Sequence, residues 1–177
     1  MYKDSDPNGE WGVVHTDNFQ LNDNHKHRIF IIDDFYTNPK ELRNFAINQW
    51  FFDDEGFEGL RTRKQFFFKG VKEKFEETIG EKITVWEEHG MNARFQSHKA
   101  DFRPVYHCDS QTWAAAWYGN IDAPYEAGTS FYAHKETGLR GGEPNINNAF
   151  EGNTWVDPTP YVRIDHAANI FNRLVIW

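Results

Sequence analysis

A histidine and an aspartate separated by one residue are the most chemically suggestive pair in this chain. In residues 105–109 (VYHCD), His107 and Asp109 flank Cys108. On an extended backbone both side chains leave the same face, and Cys108 leaves the opposite one. An imidazole and a carboxylate on one face are two of the three ligands of a 2-His-1-carboxylate iron(II) site, which keeps positions open for a co-substrate and for oxygen. Short His/Asp pairs more often only hydrogen-bond on a surface, so the rest of the chain must support a metal role.

Composition restricts the kinds of protein that could use such a pair. The 177 residues, 26% charged and 39% hydrophobic, suit one soluble globular domain with its own core. The net charge of −8 argues against nucleic acid or an anionic membrane as a non-specific partner. No apolar run approaches the ~20 residues of a spanning helix, and the N-terminal residues are too polar for a secretory signal. The single cysteine excludes an intrachain disulfide and favours a reducing compartment, so we expect a cytoplasmic protein.

The N-terminal half predicts helices that pack on strands. Residues 28–32 are a continuous apolar run, typical of a buried strand. Asn38, Pro39 and Glu41 have the spacing of a helix start with a capping box. A second helix is predicted over residues 70–79, with Gly80 as its C-terminal cap.

Between and after these helices we predict a loop and three short strands. The loop covers residues 51–64, and the strands cover residues 65–68, 83–86 and 93–96. Within the loop, Arg61 and Arg63 are either anion-binding residues or, as is commoner, exposed loop arginines.

From residue 103 onward the sequence predicts almost only β-structure. Residues 113–118 and 128–134 alternate as strands do, which places Ser130, Tyr132 and His134 on one face. Residues 139–160 are long and rich in Gly, Asn and Pro, a pattern typical of a functional lid and equally of a disordered loop. His166 is predicted at the edge of a loop.

The last predicted strand, residues 170–177, is apolar on both faces and belongs inside a sheet. A chain that stopped there would expose an apolar edge, which invites self-association. We therefore expect the natural reading frame to continue past Trp177.

The order of these motifs resembles that of the 2-oxoglutarate/Fe(II)-dependent oxygenase superfamily, and most closely its prolyl-4-hydroxylase-like branch of a phage and marine-bacterial type. The resemblance extends over roughly residues 28–177 and depends on the ordered set, because no single motif is specific. The motifs are residues 31–35 (IIDDF) with 38–39 (NP) and 42–43 (LR), residues 95–96 (FQ), 107–109 (HCD), 117–120 (WYGN), 128–131 (GTSF) and 172–176 (NRLVI).

The resemblance implies a fold and an activity. The fold is mostly β, a double-stranded β-helix (a cupin-like jelly roll) flanked by two or three N-terminal helices. It comprises an arm over residues 1–27, helix-decorated strands over 28–104 and the β-helix core over 105–177. The activity is hydroxylation of an unidentified substrate by a dioxygenase that uses Fe(II) and 2-oxoglutarate, with no nucleic acid or membrane as partner.

The resemblance also implies roles for particular residues. His107 and Asp109 would bind iron, and a distal histidine beyond Trp177 would complete the site. A basic residue still further on would bind 2-oxoglutarate, so this chain by itself is expected to be poorly active. Second-shell or pocket positions implied by the matching strands are Gln96, Tyr118, Tyr132, His134 and Asn172. For His134, packing or a second-shell role is favoured over iron ligation, and His166 lies too early in the sequence to be the distal ligand.

Two further hypotheses remain open. One is a jelly-roll binding or structural module without metal, because such folds serve many functions. The other is a cupin-type metal enzyme, which would require an H-x-H pair. The one such pair in the sequence, His25-Lys26-His27, lies in the N-terminal arm, where solvated histidines are expected.

Overall fold

The computed structural model of the protein describes residues 29–53, 59–98, 106–109, 111–140 and 158–177, and the backbone alone of residues 17–19. The described chain is mostly β with two helices, and all of its strand pairs are antiparallel. The strands are β1 (Asp17–Phe19), β2 (Ile29–Ile32), β3 (Phe51–Asp53), β4 (Leu60–Thr62), β5 (Gln96–Ser97), β6 (Ala115–Trp117), β7 (Thr129–His134), β8 (Tyr161–Ala167) and β9 (Leu174–Ile176). The helices are α1 (Pro39–Ile47) and α2 (Val71–Ile79).

The central sheet joins the two ends of the described chain, in the order β1-β2-β9-β6. Strand β9 lies between β2 and β6, with Val175 opposite both Ile31 and Ala116. Leu174, Val175 and Ile176 are each at most 2% exposed. This explains why both faces of the strand are apolar, and it confirms for residues 174–176 that the run belongs inside a sheet. Residues 170–173, predicted as part of the same strand, precede it and include a turn at residues 171–172.

Each face of the central sheet supports one part of the core. On one face, Phe30, Ile32, Leu174 and Ile176 pack with α2, through residues that include Val71. On the other face, a second cluster carries the partly buried rings of Phe131 and Trp177 around its buried members Ile29, Tyr118, Ala167 and Val175. The sheet is therefore covered on both sides.

The second cluster includes residues of a two-stranded β7–β8 hairpin. The hairpin contributes to the core through Ala167 on β8 and Phe131 on β7. Gly128, immediately before β7, approaches β8 so closely that an added Cβ would overlap the carbonyl oxygen of Ala167. No closed sheet forms among the described strands, and the barrel implied by the resemblance is taken up below as a proposal.

The helices are where the sequence predicts them. The predicted N-terminal capping box of α1 is not formed, whereas the predicted C-terminal glycine cap of α2 is. Helix α1 begins at Pro39, but Asn38 makes no side-chain capping hydrogen bond, so the predicted capping box is not formed. Helix α2 ends at Gly80, whose φ of 74° is left-handed and whose N–H donates to the carbonyl of Glu76 at 3.0 Å. Only a residue without a Cβ takes this conformation at little cost.

Several local predictions were wrong. Residues 51–64 are not all loop, because β3 and β4 pair there and β5 extends them to a three-stranded sheet in the order β3-β4-β5. Residues 65–68 and 83–86 form no strand, and residues 93–96 contribute only Gln96 to β5. His166 lies within β8 and not at a loop edge. Apolar runs this short do not separate strands from packed irregular segments.

Most of the predicted lid, residues 141–157, lies outside the described residues, as do residues 1–16 and 20–27 of the predicted arm. Within the described part of the chain, neither helix is long and apolar enough to cross a membrane.

Candidate functional site

His107 and Asp109 lie side by side on an irregular, extended segment. His107 Nε2 and Asp109 Oδ1 are 3.6 Å apart, and the two side chains are 56% and 33% exposed. Cys108, between them, is half-buried. The pair therefore faces solvent with both of its potential donor atoms accessible.

The central sheet holds the Asp109 carboxylate from the other side. The indole of Trp177, the residue directly after β9, donates to Asp109 Oδ2 at 3.3 Å. The same indole packs edge-on against Phe131 of β7, with centroids 5.9 Å apart. Asp109 therefore lies at the rim of the layer between the central sheet and the hairpin.

Electrostatics keep Asp109 ionised. The neighbouring His107 is the main cause of an Asp109 pKa below its ordinary value, and the Trp177 indole adds to it. Partial burial acts in the opposite direction and does not overcome these contacts. To bind a cation, the ionised carboxylate would need beside it a neutral imidazole whose Nε2 has lost its proton.

The segment that carries the pair is anchored on the hairpin by Tyr106. Its ring stacks on Tyr161 of β8, with centroids 5.0 Å apart, and meets Tyr132 of β7 edge-on at 4.8 Å. Tyr132, predicted from the sequence as a pocket residue, thus touches the residue that precedes His107. An aromatic residue directly before a candidate ligand pair is the sequence feature that could have predicted this anchor.

Tyr118 lies in the layer behind the pair. It is 9% exposed, and its hydroxyl lies 2.6 Å from Thr129 Oγ1, which links the central sheet to the hairpin. Burial raises the pKa of Tyr118 above its ordinary value, so this group stays neutral in the physiological range.

Asn172 is a structural hub. It is 2% exposed, and its Oδ1 accepts the backbone N–H of Tyr36 and the Trp117 indole, both at 3.0 Å. Its Nδ2 donates to the carbonyl of Tyr36 at 2.8 Å. These side-chain bonds connect β9 to the segment after β2 and to β6, and none is directed at His107 or Asp109.

Two other predicted positions also have local partners. His134 is 9% exposed, and its Nδ1 lies 2.9 Å from Thr137 Oγ1 in the turn after β7. Gln96 is exposed on β5, with its Nε2 2.6 Å from His98 Nε2. These hydrogen bonds are with near neighbours in sequence and not with the His107/Asp109 pair, and the His134 ring also packs edge-on against Tyr161 of β8, with centroids 6.1 Å apart.

His166 makes a contact that the sequence did not predict. It pairs with Ser130 across the hairpin, and Ser130 Oγ lies 2.8 Å from His166 Nδ1. His166 Nε2 lies 3.2 Å from the carbonyl oxygen of Tyr125. Because a carbonyl only accepts, Nε2 carries the proton and Nδ1 accepts from the Ser130 hydroxyl. His166 is therefore bound within its own hairpin.

The His107/Asp109 pair fits a metal ion in spacing and in chemistry. Two donors that each lie about 2.1 Å from one ion are at most about 4.2 Å apart, so a separation of 3.6 Å can be bridged. One imidazole nitrogen and one carboxylate oxygen are donors suited to iron(II). Within the described ranges no third His, Cys, Asp or Glu lies close enough to form a three-ligand group. The pair therefore accounts for two ligands.

No family model, curated protein or solved structure matches this chain.

Proposed function

We propose that this chain is the domain of an Fe(II)- and 2-oxoglutarate-dependent dioxygenase that hydroxylates an unidentified substrate in the cytoplasm. The observation that carries the proposal is the convergence of His107 Nε2 and an ionised Asp109 carboxylate at the rim between two packed β-layers. In this proposal the two layers belong to a double-stranded β-helix, with β6 and β9 in one layer and β7 and β8 in the other.

The residues of this chain have definable roles in such a site. His107 and Asp109 would hold iron, while the Trp177 indole fixes the orientation of the carboxylate through Oδ2 and leaves Oδ1 directed toward the imidazole. Tyr106 fixes the segment on the hairpin. The iron would supply the oxidative chemistry together with 2-oxoglutarate and oxygen, and the protein would supply position and orientation.

By the resemblance, the proposed site also has a distal histidine as third iron ligand and a basic residue for 2-oxoglutarate. Among the described residues, no third His, Cys, Asp or Glu lies close enough to the pair to be that ligand.

The test is anaerobic Fe(II) binding, followed by succinate production from 2-oxoglutarate in the natural reading frame. The matched variants are His107→Ala and Asp109→Ala, with His98→Ala as an exposed histidine control. We expect the first two to lose bound iron and succinate formation, and the control to retain both. Iron binding that survives Asp109→Ala would overturn the assignment.

A second candidate is a non-catalytic jelly-roll binding or structural module. It is favoured by the fact that both Asp109 oxygens already have partners, His107 at 3.6 Å and Trp177 at 3.3 Å, so the pair is satisfied without an ion. Under this alternative, Fe(II) binding is weak and is unchanged by His107→Ala.

A further inference from the structure

Two aromatic rings and one guanidinium group stack on each other at the small β3-β4-β5 sheet, and this stack is called the aromatic column. Trp50, directly before β3, is 78% exposed, and its ring lies parallel to that of Phe52 at 10° with centroids 5.8 Å apart. The guanidinium of Arg63, directly after β4, lies 4.1 Å from the Phe52 centroid. Indole, phenyl and guanidinium groups therefore form one continuous stack.

The outer end of this stack is an open aromatic surface. An indole that is 78% exposed and held parallel to a second ring costs little further ordering when a planar ligand stacks on it. Trp50 is the exposed end of this stack. Leu60 is also exposed, but it pairs with Asp53 and therefore lies on the face opposite Phe52.

The charges along the β3–β4 hairpin are mixed: Arg61, Arg63 and Lys64 lie in or just after β4, and residues 53–58 of the sequence carry four carboxylates. Arg61 lies opposite Phe52 in the β3–β4 ladder and therefore shares its face. Arg63 is exposed, and Lys64 lies 5.3 Å from the centroid of Phe66. Asp53, the carboxylate of β3, alternates to the opposite face. Arg63 is thus the exposed cation that lies on the aromatic column, whereas Nη1 of Arg61 is buried.

We propose that this face binds single-stranded nucleic acid, with a base stacked on Trp50 and a phosphate contacted by Arg63. Every base has a π-face, so stacking on an exposed indole tolerates any sequence. A guanidinium next to the ring provides the donors that phosphate oxygens accept. The three-stranded sheet supplies a rigid platform of the kind on which proteins stack unpaired bases.

The small number of phosphate contacts that a single strand needs explains why this proposal differs from the expectation based on net charge. A net charge of −8 disfavours wrapping of a duplex, whose binding depends on many phosphate contacts. A single-stranded segment needs only a few phosphate contacts when stacking supplies part of the affinity.

The test is fluorescence anisotropy of labelled oligo-dT and oligo-rU, each about twelve nucleotides long, with a duplex of equal length for comparison. We expect the single strands to bind more tightly than the duplex. Trp50→Ala should weaken binding about 5- to 150-fold, whereas Trp50→Phe should retain most of it. Arg63→Ala should lower the slope of log affinity against log salt by about 0.7, and Arg63→Lys should leave that slope unchanged.

The controls are Tyr125→Ala, which removes another ring that is 66% exposed, and Lys82→Ala, which removes an exposed cation elsewhere. Both should bind like the parent chain. Because Trp50 is exposed, its variants should unfold at the same urea concentration as the parent, and this is measured in parallel. The proposal does not depend on the iron site. Absence of oligonucleotide binding, equal loss in Tyr125→Ala, or displacement of the oligonucleotide by a neutral oligosaccharide would overturn it.

Discussion

At the scale of single residues, the properties of Asp109 follow from its two contacts. His107 is the main cause of its lowered pKa, and the Trp177 indole contributes less. A carboxyl group whose pKa is lower in the folded than in the unfolded chain stabilises the fold above its unfolded pKa. That contribution is lost as the pH falls through the folded pKa. The free energy of unfolding at acidic pH should therefore depend on both His107 and Trp177.

The first prediction concerns this pKa. We expect His107→Ala to raise the pKa of Asp109 toward its ordinary value, and Trp177→Phe to raise it by a smaller amount because only one hydrogen bond is lost. The measurement is an NMR titration of the Asp109 carboxyl carbon, assigned with Asp109→Asn. An Asp109 pKa that stays low in His107→Ala would show that the imidazole is not the cause.

The second prediction concerns Asn172, whose φ of 66° is left-handed and whose side chain is buried. Asn172→Gly keeps the backbone conformation and removes the hydrogen bonds, so unfolding should require about 2–3 kcal/mol less free energy. Asn172→Ala should lose about 1 kcal/mol more, because a Cβ is unfavourable at this φ. Urea unfolding measures both. Equal losses in the two variants would mean that backbone strain plays no part.

At the scale of elements, β9 is the strand around which the sheet is assembled. It pairs on both edges and is buried on both faces, whereas β8 includes the exposed residues Val162 and Arg163. The contribution of a valine to the free energy of unfolding therefore depends on its position within the sheet and not on its residue type. The two strands offer a matched comparison.

The third prediction uses that comparison. Val175 is 0% exposed in β9 and Val162 is 46% exposed in β8. Val175→Ala should lower the free energy of unfolding by about 2–3 kcal/mol, through lost burial and a residual cavity. Val162→Ala should change it by less than about 0.5 kcal/mol. Similar losses at the two positions would contradict the central place of β9.

The fourth prediction concerns the start of β7. Gly128→Ala places a Cβ against the carbonyl of Ala167, so the hairpin must shift, at a cost of about 1–3 kcal/mol or more. Gly90→Ala is the control, because nothing lies within 4 Å of its added Cβ. Differential urea unfolding of the two variants measures the effect. A neutral Gly128→Ala would show that the two strands do not approach each other this closely.

At the scale of the whole molecule, the beginning and the end of the described chain are held together. Arg173 forms a bidentate pair with Asp33, at 2.6 and 2.8 Å, next to the Asn172 hub. Strand β2 pairs directly with β9 in the same sheet. Separate folding of an N-terminal and a C-terminal part would require this sheet to be divided.

The fifth prediction follows from that arrangement. Urea unfolding followed by tryptophan fluorescence and by far-UV circular dichroism should give coincident transitions, as expected of one cooperative unit. Leu42→Ala in α1, where Leu42 is 1% exposed, should shift both transitions equally. Two separated transitions, or a shift of only one, would show that the chain folds as two units.

Local sequence was sufficient to predict those helices and strands whose residues form a strong local pattern. The apolar run before Asp33, the Pro39 helix start, the Gly80 helix end and the alternation after Gly128 each encode their structure within a few residues, and all four elements are found. The apolar faces of the last strand also indicated its internal place in a sheet. The spacing of His107 and Asp109 indicated that their side chains could meet, because alternate residues on extended backbone share a face.

Tertiary structure alone decided the rest, because the deciding contacts are distant in sequence. The Trp177 indole reaches Asp109 across 68 positions, and the Asn172 side chain reaches Tyr36 across 136. The pairing of β3 with β4, and the stack of Trp50, Phe52 and Arg63 beside it, arise where a loop was predicted. Short segments such as these have weak intrinsic preferences, so their conformation is set by the partners that the fold brings to them.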